Sequence, residues 1–274
     1  MKVDLHCHTN LSDGELTPAA LIDRAVENGV DMLSITDHDT IAAYQRLDDS
    51  KQHGLKLIPG IEFSTQWNGI GVHILGYNFD LNAKAMTEGI AAQAAARTER
   101  SEIICKKLIK LGLNVDLTRV QEIADNGNLG RPHFAKHLIE IGAVQDFRQA
   151  FDLYLGDGKP GDVKQFWAPL AQIVEWITAS GGVAVIAHPR KYKMTRSKLI
   201  RFVDDFKAVG GIGIEVVSGL QTDEETSLIA RICNEKELLA SCGSDFHLPN
   251  IVWRELGNTT PMPDSCKTIW QSWL

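Results

Sequence analysis

The sequence predicts an α/β fold: a parallel strand–helix barrel interrupted by one helical insertion. Three observations predict it. Short apolar runs alternate with amphipathic stretches along residues 1–80 and again along 169–274. Each run finishes beside a histidine, aspartate or glutamate, and parallel α/β barrels gather their chemistry at that strand edge. Between the two blocks, residues 81–168 lose the alternation and read as helices.

Taken in order, residues 2–5 read as a buried strand. Thr17-Pro18 starts a helix, with Thr at the N-cap and Pro at the first helical position. Leu21, Ile22, Ala25 and Val26 form its apolar face, and Gly29 ends it. A second strand over 31–36 runs into Asp37-His38-Asp39, and a helix is expected over 41–53. A third strand, Lys56 to Ile61, runs into Glu62, and a fourth, Gly71 to Tyr77, carries His73. In the insertion, one long helix over 83–111 is expected to be capped by Asn82, with shorter helices near 117–125, 132–141 and 146–154. The alternation then resumes with helices at 169–179, 197–209 and 223–236. Its strands are 183–187, 212–217 and 238–242, and Trp270 to Trp273 form a docking helix at the end.

Size and composition narrow the class. The chain has 274 residues with 44% hydrophobic and 23% charged residues, ordinary for a globular protein with a sizeable core. There is no apolar signal segment at the N-terminus and no run of membrane-spanning length, so no membrane is expected. Five scattered cysteines without CxxC spacing argue for a reducing, cytoplasmic compartment and against a thiolate zinc site. A net charge of −7 argues against a broad, sequence-blind nucleic-acid groove but leaves room for a small basic pocket.

The stretch from Val3 to Gly14 organises the site. In extended backbone, side chains two apart share a face, so His6 and His8 can grip one ion while Cys7 points away. Asp13 can fold back after a turn at Ser12-Asp13-Gly14. Six strand-like runs finish beside His6/His8, His38, Glu62, His73, His188 and Asp245/His247. Seven of the nine histidines sit in such places or in the Gly130-Arg131-Pro132-His133 turn; His53 and His137 are left out as structural or solvated. Plain loops would carry Ser, Asn and Lys. Repeated His with Asp and Glu points instead to divalent transition metals.

His-x-His at 6–8, Thr-Asp-His-Asp at 36–39, Glu62, Ala-His-Pro at 187–189 and Gly-Ser-Asp-Phe-His at 243–247 resemble the polymerase and histidinol phosphatase (PHP) superfamily. The resemblance covers almost the whole chain. Gly-Arg-Pro-His at 130–133 and the helical insertion look like the branch of nucleoside 3′,5′-bisphosphate phosphatases and 5′→3′ exoribonucleases acting on short RNA. It implies a distorted (β/α)7 barrel, the PHP fold, from 1–80 and 169–274, with 81–168 as a small inserted helical subdomain that caps the site. It also implies two or three divalent metal ions. Mn²⁺ is expected first, with Zn²⁺, Fe²⁺ or Mg²⁺ as alternatives.

By the same resemblance, His6, His8, Glu62 and Asp245 hold the first ion, and Glu62 bridges to a second held by His73 and His188. Asp13, His38 and His247 form the third set. Many members carry His where this chain has Asp13, and a carboxylate there favours Mn²⁺ or Mg²⁺ over Zn²⁺. His133 is either a ligand or a phosphate donor, with phosphate preferred.

The implied chemistry is hydrolysis of a phosphate ester on a 5′-phosphorylated nucleotide or the 5′ end of a short RNA. Paired ions activate water and hold the phosphate. Arg131 and Arg190 are the candidate phosphate clamps, because the guanidinium fork matches phosphate oxygens. The basic run from Arg190 through Lys191 to Arg196 can take a second phosphate or the next nucleotides of a strand. Asp37 and Asp39 are expected to orient ligand imidazoles, and Glu215 either does the same or pairs with a cation. The leaving group's proton comes from His247 or from a water. The alternatives are histidinol-phosphate phosphatase and a non-catalytic metal-binding PHP module. No obligate protein partner is inferred.

Overall fold

The computed structural model describes residues 1–47, 54–125, 127–163 and 166–274. The chain opens with β1 (Val3–Cys7), α1 (Pro18–Glu27), β2 (Met32–Ile35), α2 (Ala42–Arg46) and β3 (Lys56–Leu57). These strands make a parallel sheet in the order β1-β2-β3. Thr17 caps α1 as its sequence predicts, accepting from the Ala20 amide at 3.3 Å. The helix expected over 41–53 is described only as far as α2; residues 48–53, with His53, lie outside the described residues.

A second, five-stranded sheet holds β4 (Gly60–Trp67), β5 (Ile70–Tyr77), β6 (Val183–Ile186), β7 (Gly213–Ser218) and β8 (Leu239–Gly243), in that order. Here the expectation of an all-parallel arrangement is corrected. β4 pairs antiparallel with β5, and β5 antiparallel with β6; only β6-β7-β8 are parallel. The cause is the Asn68-Gly69 turn, where φ is 46° and 75°. Two positive φ values in succession suit the tight hairpin turn whose twist matches that of paired strands. The run expected to end at Ile61 therefore breaks at Pro59 and restarts, so Glu62 lies within β4 rather than after a strand.

The sheets meet at both margins. Parallel bridges join Cys7 to Phe246 and His38 to Glu62. The Asp245 amide donates to the His6 carbonyl at 2.8 Å, and the Asp39 amide to the Glu62 carbonyl at 3.0 Å. Gly243 is required where β8 meets β1: a Cβ there would lie 2.3 Å from the Cβ of His6. These contacts bring the segments after β1, β2 and β8 against the β4–β5 hairpin.

Between Lys84 and Leu155 the described elements are helices: α3 (Lys84–Lys110), α4 (Leu117–Ile123), α5 (Arg131–Glu140) and α6 (Phe147–Ala150), the last running into a π turn, Phe151–Leu155. Asn82 does not cap α3; Ala83 occupies that position, and the Asn82 amide is instead bound by the Asp80 carboxylate. α7 (Leu170–Ala179), α8 (Arg196–Ala208) and α9 (Asp223–Glu235) then alternate with the later strands. Trp270 is buried as the docking expectation requires, in a 3-10 turn over Ile269–Trp273.

Apolar burial divides into three clusters. The largest packs β4–β8 against α7, α8 and α9, and a second lies under β1, β2 and α1. The third, including Ile104, Leu108, Phe134 and Leu138, draws all its buried members from residues 104–163. α3 spans two of them: Met86 sits in the first, and Ile104 and Leu108 in the third. No described helix is long and apolar enough to cross a membrane.

Candidate metal centre

Glu62 is the hub. Its position in β4, as the bridge partner of His38, puts its carboxylate among five imidazoles. Oε2 faces His6 Nε2 at 3.4 Å, His8 Nε2 at 3.3 Å and His38 Nδ1 at 3.1 Å. Oε1 faces His73 Nδ1 at 2.9 Å and His188 Nε2 at 2.8 Å. One carboxylate thus serves two sets of donors, one on each oxygen. His73 reaches it because it pairs across the hairpin with Ser64, two residues beyond Glu62 and on the same face.

Asp245 Oδ1 closes the first set, 3.4 Å from His6 Nε2 and 3.5 Å from His8 Nε2. Asp13 folds back as its turn predicts. Its Oδ1 lies 3.4 Å from His247 Nε2, and its Oδ2 lies 3.7 Å from His38 Nε2. Every one of the nine residues expected as ligands falls into an overlapping donor group: His6–His8–Asp245, His6–Glu62–His188, His38–Glu62–His73 and His8–Asp13–His38–His247. The grouping differs from the expected sets: His38 belongs with Glu62 as well as with Asp13, His8 joins the Asp13 group, His6 joins His188, and His73 and His188 fall in separate groups.

The donor chemistry fits divalent ions. His6 Nε2, His8 Nε2, His38 Nδ1 and Glu62 Oε2 are buried and have no hydrogen-bond partner. Unpaired buried polar atoms are costly, at about 1–3 kcal/mol each, and four of them here converge on one space. Burial would raise the Glu62 and Asp245 carboxyls. The imidazoles around Glu62, and Lys191 with the imidazoles around Asp245, hold both well below the usual carboxylate range. Burial pushes His38 and His188 down to about 3, which leaves neutral nitrogens suited to ligation.

The surrounding shell fixes these donors. Glu215 Oε1 lies 2.9 Å from His6 Nδ1, and its Oε2 accepts from the His188 amide at 2.6 Å. It therefore orients an imidazole, one of its two expected roles. Asp37 and Asp39 do not follow expectation. Asp37 accepts from the Thr9 amide and from the hydroxyls of Thr9 and Ser12, so it shapes the loop after β1. Asp39 accepts from the Ser64 amide, Gln93 and Arg97, tying α3 to β4. Asp39, His188 and Asp245 all adopt positive φ, at 54°, 25° and 54°. Such backbone costs about 1–3 kcal/mol per residue and persists where surrounding structure enforces it.

Above the donors lies a cavity of about 420 Å³, walled on its far side by the insertion. Arg131 lines it, with a nitrogen donating to the Leu155 carbonyl at 3.0 Å and the guanidinium 5.8 Å from the Phe151 ring. Lys191 lines it too and pairs with Asp245. His133 does not line it: its Nδ1 accepts from the Gly130 amide at 3.0 Å, closing the first turn of α5, and burial pushes it down to about 4. Arg190 is also outside this cavity. It is 43% exposed, lies 3.8 Å from Glu225 and lines a separate cavity. His137 is structural, accepting from the Asp116 amide.

Two arginines were missed. Arg97 and Arg100 come from α3, are buried, and line the cavity with their guanidinium groups 5.2 and 5.3 Å from the Trp167 ring. Arg97 is neutralised by Asp39 at 2.5 Å. Arg100 donates to the Val163 carbonyl, and burial with repulsion from Arg131 and Arg97 brings it down to about 9. The signal was present: Gln93, Arg97, Arg100, Ile104 and Leu108 recur at helical spacing on one buried face whose first half is polar.

Six buried or half-buried histidines and two carboxylates around the Glu62 hub, on a mixed α/β fold, are the donor set of a metal-dependent enzyme, and the family and relatives make it a hydrolase. The PHP domain model matches residues 4–246, and the chain belongs to that family. It is 42% identical over 271 residues to a 5′-3′ exoribonuclease from Haemophilus influenzae, covering 98% of both chains. It is 38% identical over 271 residues to a 3′,5′-nucleoside bisphosphate phosphatase from Chromobacterium violaceum, covering 98% of this chain and 95% of the relative. A solved Chromobacterium violaceum structure, described as an amidohydrolase with bound sulfate, superposes with a TM-score of 0.91 at 37% identity. That match covers 99% of this chain and 95% of the other.

Proposed function

We propose that this chain hydrolyses the ester between the 3′ oxygen and phosphorus of a 5′-phosphorylated nucleotide, whether a free 3′,5′-bisphosphate or the 5′ end of a short RNA. The observation that carries this is the facing of two surfaces across one cavity: seven of the nine metal-type residues on one side, Arg97, Arg100 and Arg131 on the other. The relatives named for a bisphosphatase and for an exoribonuclease support it. Both substrates present the same scissile bond and the same 5′-phosphate.

The barrel edge and the insertion divide the work. The two sheets are read here as one distorted barrel of about seven full strands, β3 being two residues long, with residues 81–168 as its inserted cap. His6, His8, Glu62 and Asp245 would hold one ion, Glu62, His73 and His188 a second, and Asp13, His38 and His247 a third, with Mn²⁺ the preferred metal. Bound ions of this kind activate water and neutralise phosphoryl charge. Arg131 and Arg100 receive the nucleotide's 5′-phosphate as bidentate or charge-assisted donors. Lys191, on the border with Asp245, faces the scissile phosphate. Water adds to phosphorus, the 3′ oxygen–phosphorus bond breaks, and the 3′ oxygen takes up a proton.

His247 has two roles that exclude each other, since a ligating nitrogen cannot also carry the proton. Burial would lower it, but Asp13 and Asp245 bring it up to about 9. Metal content of His247→Ala beside wild type separates the roles.

The deciding experiment is turnover with Mn²⁺ on adenosine 3′,5′-bisphosphate and on a short 5′-phosphorylated RNA, following phosphate and mononucleotide, with Asp245→Ala as control. Hydrolysis of either substrate, lost in the variant, is expected. Neither activity in a protein that retains metal rejects the reading.

A further inference from the structure

A second cavity, of about 200 Å³, adjoins the metal centre and shares His188 and Lys191 with the first. We propose that it is the exit track for single-stranded RNA, with Trp253 as the platform on which a nucleotide downstream of the scissile bond stacks. The inference rests on the reading above that an RNA 5′ end occupies the first cavity.

Chemistry requires such a track. In a bisphosphate, the scissile phosphoryl group carries only oxygens. In RNA, one of those oxygens is the 5′ oxygen of the next nucleotide. When water adds and the 3′ oxygen leaves with a proton, the phosphate stays on the remaining strand as its new 5′-phosphate. The strand must therefore run out from the metal centre, and the first cavity is walled by the insertion.

The second cavity has the features a strand needs. Lys191 stands at the junction, Arg254 lies beyond it with a nitrogen 3.6 Å from Asp245, and Arg190 lines the outer part. Two acidic residues face the same space, and both are engaged. Glu215 is held by His6 and the His188 amide, and Glu225 closes the capping box of α9 while lying 3.8 Å from Arg190. Three cations in a chain of net charge −7 form a local path for phosphates.

Trp253 completes the track. Its carbonyl accepts from the Leu220 amide at 3.0 Å, and Gly219 approaches so closely that a Cβ there would lie 2.7 Å from that carbonyl. The backbone is thus fixed, while the side chain is 60% exposed at the mouth of the cavity. An exposed indole on a fixed backbone beside phosphate-binding cations is the arrangement that stacks bases without reading sequence.

The test compares wild type, Trp253→Ala and Trp253→Phe on adenosine 3′,5′-bisphosphate and on a ten-nucleotide 5′-phosphorylated single strand. Trp253→Ala should lower kcat/KM on the strand by roughly 5- to 150-fold, the range for one lost base stack. The bisphosphate value should stay within about twofold, since it reports folding and metal loading but needs no exit track, and Trp253→Phe should recover most of the strand activity. Equal effects on both substrates, or none on the strand, overturn the track. Wild type that hydrolyses only the bisphosphate overturns the track while leaving the phosphatase reading standing. Wild type that hydrolyses neither overturns the proposed function itself.

Discussion

The metal centre and the insertion wall face each other across one cavity, yet they are built by different means. The metal donors are short side chains, and most sit on strands or immediately beyond them. A short imidazole or carboxylate can only be placed by its backbone, so the sheet sets each position, and Gly243 and the strained turns at His188 and Asp245 refine it. The insertion uses long arginines on α3 and α5, whose heads are held by the carbonyls of Leu129, Val163 and Leu155 and by Trp167 and Phe151. Donors on the sheet are rigid because the backbone is; donors on the helices are rigid because their tips are pinned. Failures of the two regions should therefore look different.

The largest effect should come from the hub. Glu62→Gln keeps the shape but removes the charge that faces both sets of donors, and metal content by elemental analysis should fall. With it, kcat/KM should drop by about 10³-fold or more, at or above what one charge-stabilising donor contributes. Retained metal and turnover would show that Glu62 is not the bridge.

Glu215→Gln should cost metal affinity about 10- to 100-fold, the usual effect of losing a ligand's orienting carboxylate. Because Glu215 acts through His6 and the His188 amide, saturating Mn²⁺ should restore kcat. A kcat that stays low at saturation would assign Glu215 a part in the chemistry itself.

Arg131→Ala tests the opposite wall. It should raise KM for a 5′-phosphorylated substrate by about tenfold or more, the loss of one charged hydrogen bond, with metal content unchanged. Arg131→Lys should recover little of it, since an ammonium cannot reproduce the fork. Loss of metal in Arg131→Ala would erase the division between the two regions.

The smallest effect is expected at Arg24 and Glu255, an ion pair at 2.6 Å joining α1 to the segment that carries Trp253. The hydrogen bond from Arg24 holds the Glu255 carboxyl below its ordinary range. A depressed folded pKa stabilises above the unfolded value, near 4.5, and the benefit is lost as pH falls through the folded value. The pair is partly exposed, so its worth is under about 1 kcal/mol. Glu255→Gln should lower the thermal midpoint slightly at pH 7, and the gap to wild type should close in acid. A gap that persists at low pH would place the effect in packing rather than charge.

The sequence alone determined the residue types and their local register. His-x-His on an extended run, Asp13 after its turn and the Thr17-Pro18 start of α1 each follow from spacings of a few residues, which local geometry fixes. The helical character of 84–155 was equally legible, because its periodicity needs no distant partner. What tertiary structure decided was everything set by elements far apart in the chain. Glu62 serves two donor sets only because β4 folds back on β5 through Asn68-Gly69, and because His38 bridges to it. Arg97 and Arg100 reach the cavity only because Asp39 and Gln93 dock α3 on β4. Arg190 and Lys191 are neighbours in sequence, yet after the positive φ of His188 only Lys191 reaches both cavities, while Arg190 lines the second alone. Local spacing fixes which face a side chain shares with its neighbours; packing between distant segments fixes what that face meets.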